Sequence, residues 1–460
     1  MSPPLFDSTD ARPIHFVGIA GAGMSALAEL FLRRGVAITG CDAHPETAGD
    51  LRRLGVSVTD HDPSHVDSAR ALVVTSAMPK DHPELVRARE RGIPVIRRAE
   101  ALGEVTVGRE LVGIAGTHGK TTTTVMTAMA LGAAGRDPTA LVGGRVGDWG
   151  GNLRAGSDRL YVVEADEYDR SFLALTPTVA VVTNIEADHL DIYADLADIR
   201  RTFAQFVKGA RHIVLCADDA NANALSTPSS TEVVRYGIAS ADARLVARDI
   251  SAQNGTTAFH VTYDDESLGG VELRVPGRHN VLNALAAIGS GLVLGADLTS
   301  MARGLAEFRG AERRFQRLGD AGGVTVVDDY AHHPTEISAT LAAARSSFPG
   351  RRLVVAFQPH LYTRTRDFAS EFGASLAAAD AVFLTEIYPA REKPIEGVSS
   401  TLVESAVRQS GGRLQWRGRR EELADALAAF VREGDAVITL GAGDITKTGA
   451  ELLARLAAPA

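Results

Sequence analysis

Cysteine is scarce in this chain: among 460 residues only Cys41 and Cys216 carry thiols, and they lie far apart in apolar stretches. The sequence therefore predicts neither a disulfide framework nor a thiolate metal site. Long apolar runs are also missing, since none approaches the roughly 20 residues that a membrane-spanning helix needs. The stretch from Met1 to Pro13 is polar, without the basic and apolar segments of a secretion signal. We expect a soluble cytoplasmic protein with no membrane span.

Basic residues are outnumbered by acidic ones, which gives a net charge of -9. A nucleic-acid-binding protein is expected to present a basic face, so nucleic acid is not a predicted partner. The composition is otherwise that of a globular protein, with 45% hydrophobic and 23% charged residues. The length predicts about three domains.

Short apolar strand patterns alternate with helical patterns along most of the chain, which predicts an α/β fold with parallel sheets. We expect three domains. They are a Rossmann-like N-terminal domain at 1–107, a P-loop ATPase-type central domain at 108–310 and a Rossmann-like C-terminal domain at 311–460.

The most informative stretch is the segment 113–122, which reads Gly-Ile-Ala-Gly-Thr-His-Gly-Lys-Thr-Thr. A strand pattern leads into it and a helical pattern at 121–134 follows, which is the context of a phosphate-binding loop. The strict pattern has glycine where this segment has its isoleucine, and a glycine-rich surface turn is the alternative. The Lys120 ammonium would bind phosphates and the Thr121 hydroxyl would bind magnesium. The ATP-binding residues predicted in this loop are Gly116, Thr117, His118, Gly119, Lys120, Thr121 and Thr122.

A second glycine loop, at 18–26, separates a strand pattern at 14–19 from a helical pattern at 24–34. Its Gly-x-Gly-x-x-Ala portion fits the dinucleotide fingerprint, and Asp42 ends the next strand, where an acid that binds ribose would lie. The loop predicts a phosphate-bearing nucleotide without distinguishing a nicotinamide cofactor from another diphosphate. A nicotinamide-dependent dehydrogenase is therefore an alternative.

Acidic residues follow two strand patterns in the central part of the chain. Glu164 comes directly after the strand at 160–163, and His189 belongs to a polar segment that follows the strand at 179–182. Because ligands bind at the carboxyl edge of an open α/β sheet, we expect Glu164 and His189 to bind magnesium there. For His189 alone, a structural hydrogen-bonded imidazole is the alternative.

Other segments are less specific. Glycines at 142–152 indicate either a mobile loop near a ligand or a plain connection. Strand patterns within 231–275 predict an antiparallel addition to the sheet. Asn280 and Asn283 lie three residues apart on one helical face and suit either helix capping or adenine recognition. In the C-terminal third, Arg364 and Arg366 are candidate anion binders, and their alternative is ordinary surface charge.

Together and in this order, these motifs resemble the Mur ligases, the ATP-dependent amide-forming enzymes of peptidoglycan precursor synthesis. The resemblance spans nearly the whole chain, and the shifted glycine spacing of the phosphate loop is similar to this family's own form. The segments that carry the resemblance are 16–25, 115–123, 164–167, 183–189, 277–284, 313–315, 328–336 and 357–360.

The resemblance implies domains that bind UDP-sugar, ATP and amino acid. The implied reaction joins L-alanine to the lactyl carboxylate of UDP-N-acetylmuramate through an acyl phosphate. It uses ATP and two magnesium ions, with Thr121 and Glu164 holding one ion and His189 the other. The implied active form is a monomer or homodimer. The implied catalytic residues are Lys120, Glu164, His189 and His332. The residues implied for the UDP-sugar are Gly21, Ala22, Gly23, Met24, Ser25, Asp42, His61 and Ser76. Asn280 and Asn283 are implied for the adenine, and Arg314 and Asp328 for the ATP phosphates and ribose. His332 and Arg364 are implied for the amino acid.

Sister ligases carry a carbamylated lysine about fifteen residues past the metal-binding histidine, where this chain has Ala204. The resemblance therefore implies no carbamate. Two alternatives stay open beside the dehydrogenase. One is the related recycling ligase, which attaches a whole peptide to the same sugar nucleotide, and the other is a nucleotide-gated switch without catalysis.

Overall fold

We analysed a computed structural model of the chain. It describes residues 5, 10–75, 78–253, 255–390 and 392–457. Backbone contacts divide the chain into two compact units. The first comprises Met1–Ile250, Phe259–Glu272 and Val281–Phe308, and the second comprises Ser251–Ala258, Leu273–Asn280 and Arg309–Ala460. Among the residues that the structure describes, no helix combines the length and the apolar character that crossing a membrane requires.

The first sheet has five parallel strands in the order β3-β2-β1-β4-β5. This is the strand order expected of a doubly wound nucleotide-binding fold, and it confirms the prediction from the N-terminal strand and helix patterns. The elements are β1 (Ile14–Val17), α1 (Ala22–Arg33), β2 (Ile38–Cys41), α2 (Gly49–Arg53), β3 (Ser57–Thr59), β4 (Ala71–Val74), α3 (Pro83–Arg91), β5 (Val95–Arg97) and α4 (Arg98–Thr106).

The second sheet has ten strands in the order β15-β14-β13-β12-β11-β10-β6-β9-β7-β8. The strand that leads into the phosphate loop, β6, lies between β10 and β9, so both strands with acidic carboxyl ends flank the loop. The elements are β6 (Glu110–Ala115), α5 (Lys120–Ala133), β7 (Thr139–Val146), β8 (Gly151–Arg154), β9 (Leu160–Glu164), β10 (Val179–Val182), α6 (Leu196–Val207), β11 (His212–Cys216), α7 (Ala220–Asn223), β12 (Glu232–Gly237), β13 (Leu245–Gln253), β14 (Thr256–Tyr263), β15 (Glu266–Leu273), α8 (Arg278–Val293) and α9 (Leu298–Ala306).

Two sequence expectations for this sheet were wrong, the first of them only in part. Strand β12 pairs with β11 and β13 in parallel, because α7 lies between β11 and β12 and returns the chain in the same direction. Strands β14 and β15 are neighbours joined by only two residues, which fits the predicted antiparallel addition. The glycine-rich segment 142–152 is largely strand: β7 runs through its first glycines, a short 3-10 turn follows, and β8 pairs back antiparallel. Two of its glycines, Gly143 and Gly144, allow neighbouring side chains to pack closely against β7.

The third sheet has six strands in the order β16-β17-β21-β18-β19-β20, parallel except for β16. Fully buried apolar strands such as β18 and β21 form its centre, and helices cover both faces. The elements are β16 (Gln316–Ala321), β17 (Val324–Asp329), α10 (Pro334–Ser347), β18 (Leu353–Phe357), α11 (Tyr362–Asp367), α12 (Ala369–Leu376), β19 (Ala381–Thr385), α13 (Thr401–Gln409), β20 (Leu414–Gly418), α14 (Arg420–Phe430), β21 (Ala436–Leu440) and α15 (Thr446–Ala457).

Candidate active site

The predicted phosphate loop connects β6 to α5, in the context that the sequence indicated. Gly116 and Gly119 have φ angles of +141° and +82°, which side chains other than glycine rarely adopt. The segment that follows β10 makes hydrogen bonds to the phosphate loop. The His118 amide donates to the Asn184 side-chain oxygen at 2.8 Å, and the Thr183 hydroxyl donates to the His118 carbonyl at 2.7 Å. These hydrogen bonds tie the phosphate loop to the segment that follows β10.

Lys120 begins α5 and points back over the loop. Its ammonium donates to the Gly116 carbonyl at 2.6 Å and to both carboxylate oxygens of Glu167 at 2.9 and 2.8 Å. Burial opposes the charge on Lys120, but the Glu167 carboxylate and its acidic neighbours outweigh burial and raise the lysine pKa. Burial raises the pKa of Glu167, and the Lys120 ammonium opposes that rise. The ammonium is thus held charged at the position where a phosphate-binding cation is needed.

Glu167 is a site residue that the sequence analysis missed. It belongs to the Glu-Ala-Asp-Glu segment that begins at Glu164, and it is 3% exposed. The sequence of this segment predicted carboxylates near the phosphate loop. Which of them faces Lys120 depends on the turn after β9, which the sequence pattern does not specify. Glu167 Oε1 also lies 3.9 Å from Nε2 of His189, so one carboxylate joins the lysine and the predicted metal-binding histidine.

The predicted metal-binding residues present oxygen and imidazole donors around the same loop. A β-carbon placed on Gly143 would lie 2.9 Å from Glu164 Oε2, and one placed on Gly144 would lie 3.1 Å from Thr121 Cγ2. The two glycines of β7 therefore make room for both side chains, and the Gly143 amide donates to Glu164 at 2.7 Å. His189 has a left-handed backbone, φ 54°, and its ring packs edge-on against Tyr168.

The two predicted adenine-binding asparagines both lie on α8. Asn283 accepts a hydrogen bond from the Thr123 hydroxyl at 3.1 Å, and a β-carbon on Gly119 would lie 2.6 Å from its side-chain oxygen. Asn283 thus touches the phosphate loop directly. Asn280, assigned to the second compact unit, donates from its side chain to the Pro276 carbonyl at 2.7 Å. That contact is a local side-chain-to-backbone bond and not a helix cap, because the amide group donates to a carbonyl.

The N-terminal glycine loop follows β1 and ends at the first turn of α1. Gly18 has a φ of +81°, and the Ala20 amide donates to Asp42 at 2.9 Å. Asp42 also accepts from the His44 amide at 3.0 Å, so it orders the loop as well as the end of β2. Of the other predicted residues, Ala22, Gly23, Met24 and Ser25 form the first turn of α1, with Gly21 as its N-cap.

Arg98 is a second residue that the sequence analysis missed. A β-carbon placed on Gly23 would lie 2.9 Å from the Arg98 guanidinium, which therefore covers the first turn of α1. Arg97 beside it pairs with Asp169 at 3.3 Å, whereas no carboxylate of the described residues pairs with Arg98. A cation at the positive end of a helix is unfavourable by itself and favourable once an anion lies between them.

The remaining UDP-sugar predictions differ in outcome. His61 is near the end of β2, where its Nδ1 lies 3.1 Å from the Cys41 sulfur and its ring packs against His82. Ser76 lies outside the residues that the structure describes, so its predicted role in UDP-sugar binding stays a prediction.

In the second unit, Asp328 ends β17 and is 1% exposed. Its carboxylate accepts from the Thr439 and Thr446 hydroxyls at 2.5 and 2.8 Å. Its ion-pair partner is Arg313 at 3.3 Å. The predicted Arg314 instead lies 3.9 Å from Glu336. The assignment of Arg314 and Asp328 to the ATP phosphates and ribose stays a prediction.

The predicted amino-acid-binding residues lie close together in the same unit. The His332 and His360 rings are 5.8 Å apart, and His360 Nδ1 lies 3.2 Å from a guanidinium nitrogen of Arg364. His332 contacts Glu336 at 3.1 Å, while the neighbouring His333 is buried against Phe368. A buried guanidinium beside two imidazoles is suited to binding a small carboxylate.

Comparison with known proteins decides the family. Three family models match consecutive segments: the Mur ligase family catalytic domain at 13–109, the Mur ligase middle domain at 114–291 and the Mur ligase glutamate ligase domain at 313–443. A UDP-N-acetylmuramate–L-alanine ligase from Acidothermus cellulolyticus is 47% identical over 438 residues, which cover 93% of this chain and 91% of the relative. The chain belongs to the Mur ligase family.

Solved Mur ligase structures are similar to the whole chain. The UDP-N-acetylmuramate–alanine ligase of Thermotoga maritima superposes with a TM-score of 0.83 at 30% identity, covering 96% of this chain and 98% of that one. A murein peptide ligase from Psychrobacter arcticus superposes with a TM-score of 0.72 at 26% identity, covering 98% and 99%. The three-domain α/β architecture predicted from the sequence is therefore confirmed, and the Mur ligase matches account for the N-terminal glycine loop that also suggested a dehydrogenase.

Proposed function

We propose that this Mur ligase joins L-alanine to the lactyl carboxylate of UDP-N-acetylmuramate at the expense of ATP, in peptidoglycan precursor synthesis. The observation that carries the proposal is the phosphate loop with its lysine held by Glu167, in a chain whose full-length relatives bear the name of that activity. An N-terminal loop suited to a diphosphate and a C-terminal group of side chains suited to a small carboxylate supply places for the other two substrates.

ATP binds, in this proposal, along the loop from Gly116 to Thr122. Lys120 exchanges Glu167 for the β- and γ-phosphates, because both partners are anions that compete for one ammonium. Asn283 lies next to the loop and Asn280 one helical turn earlier, so we assign both to adenine. Arg314 and Asp328 are assigned to the phosphates and the ribose.

Magnesium fits the donor set beside the loop. The Thr121 hydroxyl and the Glu164 carboxylate are oxygen donors of the kind that magnesium prefers, and the Gly143–Gly144 pair leaves space around both. We assign these two residues to one ion and His189 to a second. Bound magnesium would neutralise charge on the phosphates and so favour transfer of the γ-phosphoryl group. Ala204 packs against the hydrophobic core of its unit. Because its side chain has no amine, we propose that the enzyme works without a carbamylated lysine at this position.

The UDP-sugar is assigned to the N-terminal loop. Residues 21–25 present backbone amides at the start of α1, Asp42 orders the loop, and Arg98 supplies a cation above it. His61 and Ser76 are assigned to the same substrate. The diphosphate is the anion that would satisfy both the helix terminus and the guanidinium.

The reaction then follows in two steps. A lactyl carboxylate oxygen attacks the γ-phosphorus of ATP, the bond from that phosphorus to the β–γ bridging oxygen breaks, and ADP leaves. Lys120 remains charged and stabilises the transferring group. The neutral amine of L-alanine attacks the acyl carbon, the carbon–oxygen bond to phosphate breaks, and the amine loses a proton as the amide forms.

We assign the alanine carboxylate to Arg364 and place His332 next to the incoming amine. The acyl phosphate and the amine must meet in the catalytic complex, so the proposal requires domain closure during turnover. We propose domain boundaries at 107/108 and 310/311, a cytoplasmic location, and a monomer or homodimer as the active form.

Isotope transfer tests the chemistry directly. UDP-N-acetylmuramate labelled with oxygen-18 in its lactyl carboxylate is incubated with Mg-ATP and L-alanine, and the products are examined by mass spectrometry. We expect a sugar nucleotide that has gained one alanine residue, and phosphate that carries one labelled oxygen. Amide product with unlabelled phosphate would exclude the acyl phosphate, and absence of the alanine product would exclude the ligase.

A further inference from the structure

A buried group of four side chains in the N-terminal sheet has no role in the proposed reaction. It comprises His15 on β1, Cys41 at the end of β2, His65 in the 3-10 segment Pro63–Ser68 and Glu84 in the first turn of α3. We call it the His–Cys–Glu cluster. The four donor atoms lie within 4.8 Å of one another.

The fold brings these residues to one face of the sheet. In the parallel register of β1 and β2, Val17 pairs with Cys41, so His15, two residues before Val17, faces the same side as Cys41. Helix α3 and the Pro63–Ser68 segment cover that face. The surrounding side chains are apolar and buried: Val17, Val66, Ala69, Leu72, Val74, Leu85 and Ala88.

Glu84 is a buried carboxylate, and a cation bound beside it would balance its charge. Its side chain has no exposed surface, and its ion-pairing neighbours among the described residues are the imidazoles of His15, His61 and His65, not a lysine or arginine. The Asp62 amide donates to Glu84 Oε1 at 2.8 Å, and the Cys41 sulfur lies 3.1 Å from Glu84 Oε2. A buried carboxylate is stable only when it is paired or coordinates a metal.

We propose that the His–Cys–Glu cluster is a structural zinc site. Tetrahedral zinc, with bonds of about 2.3 Å to sulfur and about 2.0–2.1 Å to nitrogen and oxygen, places its donors about 3.3–3.6 Å apart. Here the Cys41 sulfur lies 3.3 Å from His15 Nε2 and 3.1 Å from Glu84 Oε2. His65 Nδ1 lies 3.3 Å from Glu84 Oε1, and His15 Nε2 lies 3.7 Å from Glu84 Oε2.

The outer nitrogens of both histidines are held by hydroxyls. His15 Nδ1 lies 2.9 Å from Thr39 Oγ1, and His65 Nε2 lies 3.3 Å from Thr59 Oγ1. An outer hydrogen bond of this kind fixes the ring orientation and the tautomer of a metal-binding histidine. It leaves His15 Nε2 and His65 Nδ1, the two nitrogens that face the cluster, to bind zinc.

The scarcity of cysteine predicted no thiolate metal site, and the proposed site departs from that expectation. The cluster needs only one thiolate, and its other donors come from three further segments of the chain. Zinc binding would displace the Cys41 proton, since burial and the Glu84 carboxylate raise the pKa of the metal-free thiol. The site would fix the end of β2 and thereby Asp42, which orders the N-terminal glycine loop.

Cobalt substitution tests the site in the full-length protein. Chelator-treated protein is titrated with Co²⁺ in excess magnesium, so that oxygen-donor sites near the phosphate loop are filled. We expect one equivalent of Co²⁺ to produce a sulfur-to-cobalt charge-transfer absorption, which Zn²⁺ abolishes. Cys216→Ser, which removes the other buried cysteine, should keep the absorption, whereas Cys41→Ser and His65→Asn should lose it.

Three further measurements keep the test decisive if Cys41→Ser fails to fold. The wild-type protein, purified without added metal, should contain about one zinc per chain, and chelation should lower its melting temperature. Calorimetry in buffers of different ionisation enthalpy should show at least one proton released per zinc bound. Wild-type protein that contains no zinc and gives no charge-transfer absorption with Co²⁺ would overturn the proposal and leave a hydrogen-bonded network. An absorption that persists in Cys41→Ser would overturn it equally.

Discussion

The ammonium of Lys120 lies 2.8 and 2.9 Å from the two carboxylate oxygens of Glu167, with Glu167 buried and Lys120 partly buried beside the phosphate loop. Each partner would be costly to bury alone. Glu167 therefore keeps the lysine charged and aimed at the loop until phosphate replaces it. Because Glu167 also lies 3.9 Å from His189, it positions two of the groups assigned to ATP and magnesium.

Lys120→Ala should abolish turnover while leaving the fold intact. Loss of one group that stabilises transition-state charge typically costs on the order of 10²–10³ in kcat. Phosphate release and the circular dichroism spectrum are measured for this variant and for Lys208→Ala, an exposed lysine at the end of α6. Wild-type turnover in Lys120→Ala, or its unfolding, would contradict the assignment.

Glu167→Gln should lower kcat at least ~10-fold, since it leaves the buried ammonium without its counter-ion. The effect should be non-additive: in the Lys120→Ala background the same change should cost little further activity, because the two residues act as a unit. Glu266→Gln, at an exposed position, is the control. Additive losses in the double variant would show that Glu167 acts independently of Lys120.

Arg98→Ala should raise the KM for UDP-N-acetylmuramate about 10-fold or more, because it removes a charge-assisted contact to the diphosphate. The KM values for ATP and L-alanine should change little, and Arg98→Lys should restore part of the affinity. Steady-state kinetics and direct binding of UDP are compared with Arg89→Ala, an exposed arginine on α3. An unchanged affinity for UDP would remove Arg98 from the site.

Asp329 gives a pH dependence to the stability of the second unit. Burial raises its pKa from 3.8 to about 6. A raised pKa in the folded state contributes stability that is present below the unfolded value and lost as the pH rises through about 6. Relative to Asp329→Asn, the wild type should lose about 2 kcal/mol between pH 4 and pH 7.

Denaturant titrations in a Trp149→Phe background measure this loss, because Trp416 on β20 then reports the second unit alone. The difference in unfolding free energy between the Asn variant and the wild type should grow from pH 4 to about pH 6 and then stay constant. A difference that does not vary with pH would mean that the carboxyl has its ordinary pKa in the folded protein.

Features determined by neighbouring residues were the ones the sequence predicted well. The phosphate loop depends on glycines at Gly116 and Gly119 within one turn of a strand and a helix, and local spacing is enough to recognise it. The same holds for Glu164, which ends a short apolar strand, and for the order of elements around the N-terminal loop. Local patterns and the family resemblance together gave the three-domain α/β fold.

Features that depend on distant contacts were missed. Arg98 meets Gly23 across more than seventy residues of chain, and neither position signals the other. Glu167 was passed over for Glu164 in the same short segment, because only the three-dimensional turn decides which side chain faces Lys120. Strand β13 mixes polar and apolar residues over Leu245–Gln253 and has no clear alternation, so the parallel pairing of β12 could not be read from the pattern.

Phosphate release from Mg-ATP and UDP-N-acetylmuramate, measured with L-alanine, with tripeptide and with neither, tests the central claim most directly. We predict release that requires both the sugar nucleotide and L-alanine. Release that requires the tripeptide instead would reassign the chain to the recycling ligase. ATP binding without release in any of the three mixtures would contradict the account and indicate a nucleotide-gated switch.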